Sequence, residues 1–365
     1  MGEKKIPRRR FIKSVAAGVA ASATFGPVYA QTQKRLVWRM ATSWPESLDT
    51  IYGGALTVAQ RVRDLTGGRF VIEVYPAGKL GKALDVLDLV SKGKVEAGHT
   101  ASYYYTNKHP AFAFGTALPF GLTARQQDAW LGAAGGNELL NRELYSQFRV
   151  IGFPAGNTSL QMGGWFRRPV DSVADLRGLK MRIPGLGGVV LKRLGVNVKV
   201  VGAAEIAEAL KQGLIDAAEW VGPYDDEKLG LYRYASYYYY PGWWEPGTTL
   251  HLFVNRDAWS RLPKAWREVI VSAARDANAR VLQSYDNKNP LALERLLSYG
   301  VRLRPFTPEV LRYAEREANA LYRELSAKDA LYRKVFEHWD RARTRLFRWF
   351  GVNERYYGDW VFPNA

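Results

Sequence analysis

The chain has 365 residues, with 52 Lys and Arg against 35 Asp and Glu, a formal net charge of +17, and no cysteine. The lack of Cys excludes disulfides, a thiolate metal site and a thiol nucleophile. The basic residues are scattered, many of them among acids toward the C-terminus, so the excess reads as solvated surface with room for an anionic ligand and not as a nucleic-acid face.

Residues 1–30 read as an address. Arg8-Arg9-Arg10-Phe11-Ile12-Lys13 precede an apolar run from Ser14 to Phe25, and Val28-Tyr29-Ala30 supplies a cleavage-type end before Gln31. The paired arginines resemble the twin-arginine export signal. The apolar run is short of the ~20 residues that a membrane span needs. The mature chain is expected to begin near Gln31 and to work in the periplasm, which argues further against nucleic acid.

Leu36 to Met40 alternates as a strand does. Ile51 to Leu65 has helical apolar spacing and stops at Gly67-Gly68. Phe70 to Tyr75 is a second strand closed by Pro76. Ala83 to Ser91 reads as a helix ending at Gly93, and Val95 to Ala97 starts another strand. This alternation indicates α/β layering around a mainly parallel sheet. Val150 to Phe166 is apolar with Asn157, Ser159 and Gln161 inserted. Residues 175–184 form a turn feeding a short strand, followed by a βαβ unit: strand Val196 to Val201, helix Ala203 to Lys211, strand Leu214 to Ala218. From about Leu262 the chain reads as helical and charged, and Val335, Trp339, Ala342, Leu346 and Trp349 form a narrow, heptad-like seam.

Two segments resemble each other. Val90 to Gly98 and Leu210 to Ala218 each hold a helix end, a Gly, a β-branched residue, an acid and a small residue. Read as a repeat, they imply two related lobes, each sending the strand after its helix toward one cleft. Read plainly, they are what any α/β unit contains.

The chemistry concentrates between Lys211 and Gly247. Glu219 and Trp220 follow a short strand, then come Tyr237 to Tyr240 and Trp243-Trp244-Glu245. Carboxylates beside aromatic walls suggest a pocket, since an unpaired buried carboxylate is very costly; the plain alternative is two solvated loop residues. The pair could serve a glycosidase as acid and base, or coordinate a hard cation with amide and backbone oxygens. Arg182 sits in an apolar strand between Met181 and Ile183, where its planar fork would match a carboxylate. The four histidines show no metal-ligand spacing. Gly185-Leu186-Gly187-Gly188 has phosphate-loop character without the Lys-Ser/Thr of a P-loop.

Leu176-Arg177-Gly178-Leu179-Lys180-Met181-Arg182, Glu219-Trp220-Val221-Gly222-Pro223 and Pro241-Gly242-Trp243-Trp244-Glu245 resemble the solute-binding proteins of tripartite ATP-independent periplasmic (TRAP) transporters. The likeness runs from Trp38 to the C-terminal helices and is nearest the branch for 2-oxo monocarboxylates and lactate. It implies an α/β, two-lobed periplasmic binding protein fold with crossing strands at the hinge and long C-terminal helices. It implies Arg182 as the carboxylate clamp. It also implies a sodium or calcium ion bridging protein and ligand, held by Gln161, Glu219, Glu245 and the carbonyl of Trp220. Asn157 and one of Tyr103 and Tyr104 would complete the contacts. The expected domains are lobe I over 31–157, lobe II over 158–221, a return to lobe I over 222–255, completion of lobe II over 256–329, and a C-terminal helical extension over 330–365 that could dimerise.

The expected function is therefore non-enzymatic: capture of a small 2-oxo or 2-hydroxy monocarboxylate for the membrane subunits of a TRAP transporter. The rival from another class is an exported glycosidase using Glu219 and Glu245. Arg182 favours an anion over a neutral sugar. A sensor for a membrane kinase would share the pocket and differ only in its partner.

Overall fold

The computed structural model describes residues 35–362; the expected export signal lies outside them. Two sheets carry the fold. The first has the order β2-β1-β3-β10-β4, from β1 (Leu36–Thr42), β2 (Phe70–Tyr75), β3 (Ala97–Thr100), β4 (Val150–Asn157) and β10 (Thr249–Asn255). The second has the order β11-β9-β5-β8-β6-β7, from β5 (Trp165–Phe166), β6 (Lys180–Arg182), β7 (Asn197–Lys199), β8 (Ala217–Ala218), β9 (Tyr237–Tyr240) and β11 (Arg302–Pro305). Parallel neighbours need a crossover, and helices supply it. In the first lobe these are α1 (Asp49–Leu65) and α2 (Val86–Ser91). The expected helix from Ala83 begins three residues later, because Asp85 N–H bonds Lys82 O in a turn.

The stretch from 101 to 149 carries three short helices that have no clear apolar period in the sequence: α3 (Phe112–Thr116), α4 (Ala124–Leu131) and α5 (Gly136–Glu143). Every residue of α3 is buried, so it has no polar face to reveal a helix. In the second lobe α6 (Gly185–Arg193) and α7 (Ala203–Lys211) connect β6, β7 and β8. The glycine run with phosphate-loop character is the first turn of α6. A Cβ at Gly187 would lie 2.6 Å from Trp244 Cβ, so close helix packing explains that glycine.

The two resembling segments fold alike. Gly93 and Gly213 have φ of 67° and 70°, a left-handed conformation open to glycine and costly for residues with a Cβ. Gly93 N–H bonds Val90 O and Lys94 N–H bonds Leu89 O; Gly213 N–H bonds Leu210 O and Leu214 N–H bonds Ala209 O. The strands that follow, β3 and β8, lead to Tyr103 and to Glu219.

Two segments cross between the sheets, residues 158–164 from β4 to β5 and residues 241–248 from β9 to β10. They run side by side: Thr158 N–H bonds Thr248 O at 2.9 Å and Gln161 N–H bonds Glu245 O at 3.2 Å. The chain also holds α8 (Pro223–Leu229), α9 (Arg256–Ser260), α10 (Lys264–Ser298), α11 (Pro308–Lys328), α12 (Ala330–Phe350) and α13 (Tyr356–Val361).

Strand pairing alters the expected division. The segment 222–255 does not return whole to lobe I, since β9 pairs with β5 and β11 in the second sheet and only β10 joins the first. Nor does 256–329 belong to lobe II alone. Ile270, Ala273, Ala274 and Ala277 of α10 pack in the core behind the first sheet. Farther along, Tyr285 and Leu296 join a core with Trp165 and Ile206 of the second. The buried residues of this 35-residue helix share one face, but four of the eight are alanines while Leu291 and Leu297 lie exposed, so the apolar stripe is faint in the sequence.

The C-terminal seam also divides. Val335 and Trp339 are fully buried, with Trp339 edge-on to Phe114 of α3 at 5.8 Å. Trp349, Tyr356 and Trp360 are 58%, 75% and 78% exposed.

Candidate functional site

The site forms where strand ends of both sheets meet the crossing segments, the usual place for ligands in α/β sheets. Trp44 and Tyr103-Tyr104 follow β1 and β3, and Glu219-Trp220 follow β8. Arg182 ends β6, where Glu219 N–H bonds Arg182 O at 3.2 Å. Gln161 and Glu245 face each other across the paired crossovers.

Arg182 is 1% exposed and Glu219 is fully buried. Arg182 Nη1 donates to the Glu219 carboxylate and, at 2.8 Å, to the Glu219 main-chain carbonyl. Nε donates to Val201 O at 3.1 Å. Nη2 is buried without a partner. The guanidinium lies 5.1 Å from the centre of the Trp220 ring, a cation–π distance. The bidentate fork anticipated from the sequence is thus partly committed to protein groups, and Nη2 is the nitrogen free to donate.

Glu245 accepts from Tyr103 OH and Thr248 Oγ1, both at 3.2 Å. Gln161 Nε2 donates to Thr158 Oγ1 at 2.9 Å, while its Oε1 and the Oε2 of Glu219 are buried without partners. Buried polar atoms are rarely left unbonded, so two orphaned oxygens beside the Glu245 carboxylate point to something they coordinate. Burial and repulsion from Glu245 push Glu219 well up, against the pull of Arg182. Burial pushes Glu245 up to about 7. Two buried carboxylates and one guanidinium favour either a retained proton or an added cation.

The structure separates the three tyrosines. Tyr103 and Tyr104 line a small cavity with Gln161, Trp220, Thr158 and Thr248. Tyr105 turns into the lobe I core, where its hydroxyl accepts from Leu87 N–H at 3.1 Å and meets Thr100 Oγ1 at 2.9 Å. Asn157 is buried and spends its amide locally: Nδ2 donates to Thr249 Oγ1 at 3.2 Å, and Oδ1 accepts from Ser159 N–H at 2.8 Å. Trp44, Ile51 and Leu250 also line the cavity and were not singled out from the sequence. Trp44 had one available signal, its place just past the end of a strand; Ile51 and Leu250 look like ordinary core.

This is the architecture of a two-lobed binding protein that encloses a small anion, with an arginine, hard oxygen donors and aromatic walls at the junction of its lobes. Residues 40–329 match the family described as bacterial extracellular solute-binding protein, family 7, and the chain belongs to that family of TRAP solute-binding proteins. It is 50% identical, over 96% of its length and 97% of the relative's, to the monocarboxylate 2-oxoacid-binding periplasmic protein of a Nostoc species. A TRAP solute-binding protein from Bordetella bronchiseptica, seen as a dimer with calcium and picolinate, superposes with a TM-score of 0.89 at 42% identity, covering 90% of this chain and 98% of that one. One from Pseudoalteromonas atlantica with bound sodium and pyruvate gives 0.86 at 35% identity, covering 89% and 99%. The family is one of transport receptors, which sets the glycosidase aside. In the site itself, Glu219 is bound to Arg182 and is no free acid or base.

Proposed function

We propose that this protein is the periplasmic receptor of a TRAP transporter for short 2-oxo or 2-hydroxy monocarboxylates, pyruvate-like 2-oxo acids first and lactate next. The observation that carries the reading is the set of buried, unpartnered atoms at one junction: Arg182 Nη2, Gln161 Oε1 and Glu219 Oε2. The first suits a carboxylate and the others suit a hard cation. The ligand names of the Nostoc, Bordetella and Pseudoalteromonas proteins support the same pairing of small acid and ion.

In this reading Gln161, Glu219, Glu245 and the Trp220 carbonyl hold sodium or calcium, and Arg182 takes the ligand carboxylate. Tyr103 and Tyr104 close the cavity. Asn157 acts from behind, by fixing the crossover that carries Gln161. The ion supplies the positive charge that lets an anion sit beside two carboxylates. Lobe I is built on the first sheet and lobe II on the second, with α10 spanning both. Export follows the twin-arginine route, the membrane subunits of a TRAP transporter receive the ligand, and two copies associate through the exposed C-terminal aromatics.

A thermal-shift panel of small carboxylates, with and without chelator, tests the function. Pyruvate should raise the Tm by mass action, and chelation in sodium-free buffer should abolish the shift. A panel in which no 2-oxo acid shifts the Tm contradicts the reading.

A further inference from the structure

The cavity has a polar part and an apolar part. Gln161, Thr158 and Thr248 supply the first; Trp44, Ile51, Val221 and Leu250 supply the second. A 2-oxo acid places its carboxylate and oxo group against polar atoms, which leaves its carbon chain to the apolar wall. Trp44 is the largest side chain of that wall, and it is unusually well fixed. Its ring lies edge-on to Trp220 at 6.2 Å and tilted against Tyr104 at 6.1 Å. Its carbonyl accepts from Ala77 N–H at 2.9 Å and from Thr42 Oγ1 at 3.1 Å. Its Nε1–H donates to His99 Nδ1 at 2.8 Å.

His99 is fully buried on β3, and its other nitrogen, Nε2, lies 2.9 Å from the carbonyl of Ala155 on β4. An indole N–H can only donate and a carbonyl can only accept, so the two contacts fix the ring as neutral, with the proton on Nε2. A helix turn closes over it: a Cβ at Gly54 of α1 would lie 3.3 Å from His99 Cε1 and Nε2. The imidazole is thus held by β4 and α1 at once, and passes that rigidity to the Trp44 ring.

We infer that Trp44, held in place by His99, is the wall that sets the length of the ligand's carbon chain, with His99 as its positioning residue. The inference rests on the 2-oxo acid reading and deepens it. Shortening the wall makes room for extra methylenes, and each one buried contributes enough to change affinity several-fold.

The test is calorimetric titration of pyruvate, 2-oxobutanoate, 2-oxopentanoate and 4-methyl-2-oxopentanoate into the wild type and the Trp44→Ala, His99→Leu and His99→Asn variants. Trp44→Ala should shift the affinity ratio of 4-methyl-2-oxopentanoate to pyruvate by about tenfold or more toward the longer acid. His99→Leu removes the acceptor and should shift the ratio the same way by less. His99→Asn restores an acceptor for the indole and should stay nearer the wild-type ratio. General loss of fold would weaken all four acids together and leave the ratio alone. An unchanged ratio in a Trp44→Ala variant that still unfolds cooperatively, or identical ratios for His99→Leu and His99→Asn, overturns the inference while leaving the 2-oxo acid reading intact. A wild type that binds none of the four overturns that reading and the inference with it.

Discussion

Arg182 and Glu219 are each other's principal partners: one guanidinium nitrogen donates to both the carboxylate and the main-chain carbonyl of the same residue. Neither group has water to fall back on. An arrangement that binds an incoming carboxylate must therefore compensate Glu219 as well, and a cation on its free oxygen does so. Breaking one side of such a buried pair costs about 3–5 kcal/mol. Arg182→Ala should lower pyruvate affinity by hundreds to thousands of times, whatever the cation concentration. Arg182→Lys keeps the charge but cannot serve Val201 O, Glu219 and the ligand together, so it should also bind poorly. Calorimetry on both variants decides this. Wild-type affinity in Arg182→Ala would place the carboxylate clamp elsewhere.

The buried acids predict a pH dependence. Burial pushes Asp225 and Glu245 up to about 7 and Asp226 to about 6. The folded protein thus holds protons that the unfolded chain has released, and stability falls as pH rises through those values. Burial pushes His99 and His251 down to about 4 and about 3, which acts in the opposite sense only below about pH 6.5, where the unfolded histidines take up protons. Between pH 6.5 and 8 the acids decide. The Tm of chelated, sodium-free protein should decline across that window, and calcium should flatten the decline by offsetting the charge on Glu219 and Glu245. A Tm that rises with pH in chelator would sink this account of the carboxylates.

Much of the candidate site was legible in the sequence because its chemistry lies in residues that are conspicuous where they stand. Arg182 between two apolar neighbours, and glutamates beside tryptophans, have no ordinary core role. The two helix–Gly–strand segments were legible because the left-handed turn that ends each helix demands a particular residue order. Trp44 was not legible, since a lone tryptophan after a strand looks like core until the opposite lobe is in view. The path of α10 was hidden for another reason: half of its buried face is alanine and two of its leucines are exposed, so the helix shows little apolar contrast. Whether 222–255 belonged to one lobe could not be read from sequence either, because β9 and β10 pair with strands far away in the chain.

The C-terminal seam predicts two separable effects. Trp339 is buried against its own lobe, so Trp339→Ala should destabilise the fold by about 3–5 kcal/mol, as read from denaturant unfolding. The exposed aromatics beyond it form the kind of surface that marks an interface. A chain ending at Phe350 lacks Tyr356, Tyr357, Trp360 and Phe362 but keeps the packed half of α12. Light scattering should find the full chain dimeric and the shortened one shifted toward monomer, with little change in Tm. A monomeric full-length protein rules out the interface.

The export signal is tested in cells. Changing Arg8 and Arg9 to Lys should leave the precursor in the cytoplasm, detected by fractionation. Unimpaired export would mean the general secretory route.

The bridging cation is the central claim, and calorimetric titration of pyruvate into wild type, Glu219→Gln and Glu245→Gln across a series of sodium and calcium concentrations tests it most directly. Wild-type affinity should collapse when both ions are removed. Each glutamine variant lowers the negative charge at the site, so each should bind more weakly and partly recover as either ion is raised, while Arg182→Ala recovers at no concentration. Pyruvate affinity that is independent of both ions in the wild type and in both glutamine variants would contradict the account, and would mean that Glu219 and Glu245 meet the ligand directly.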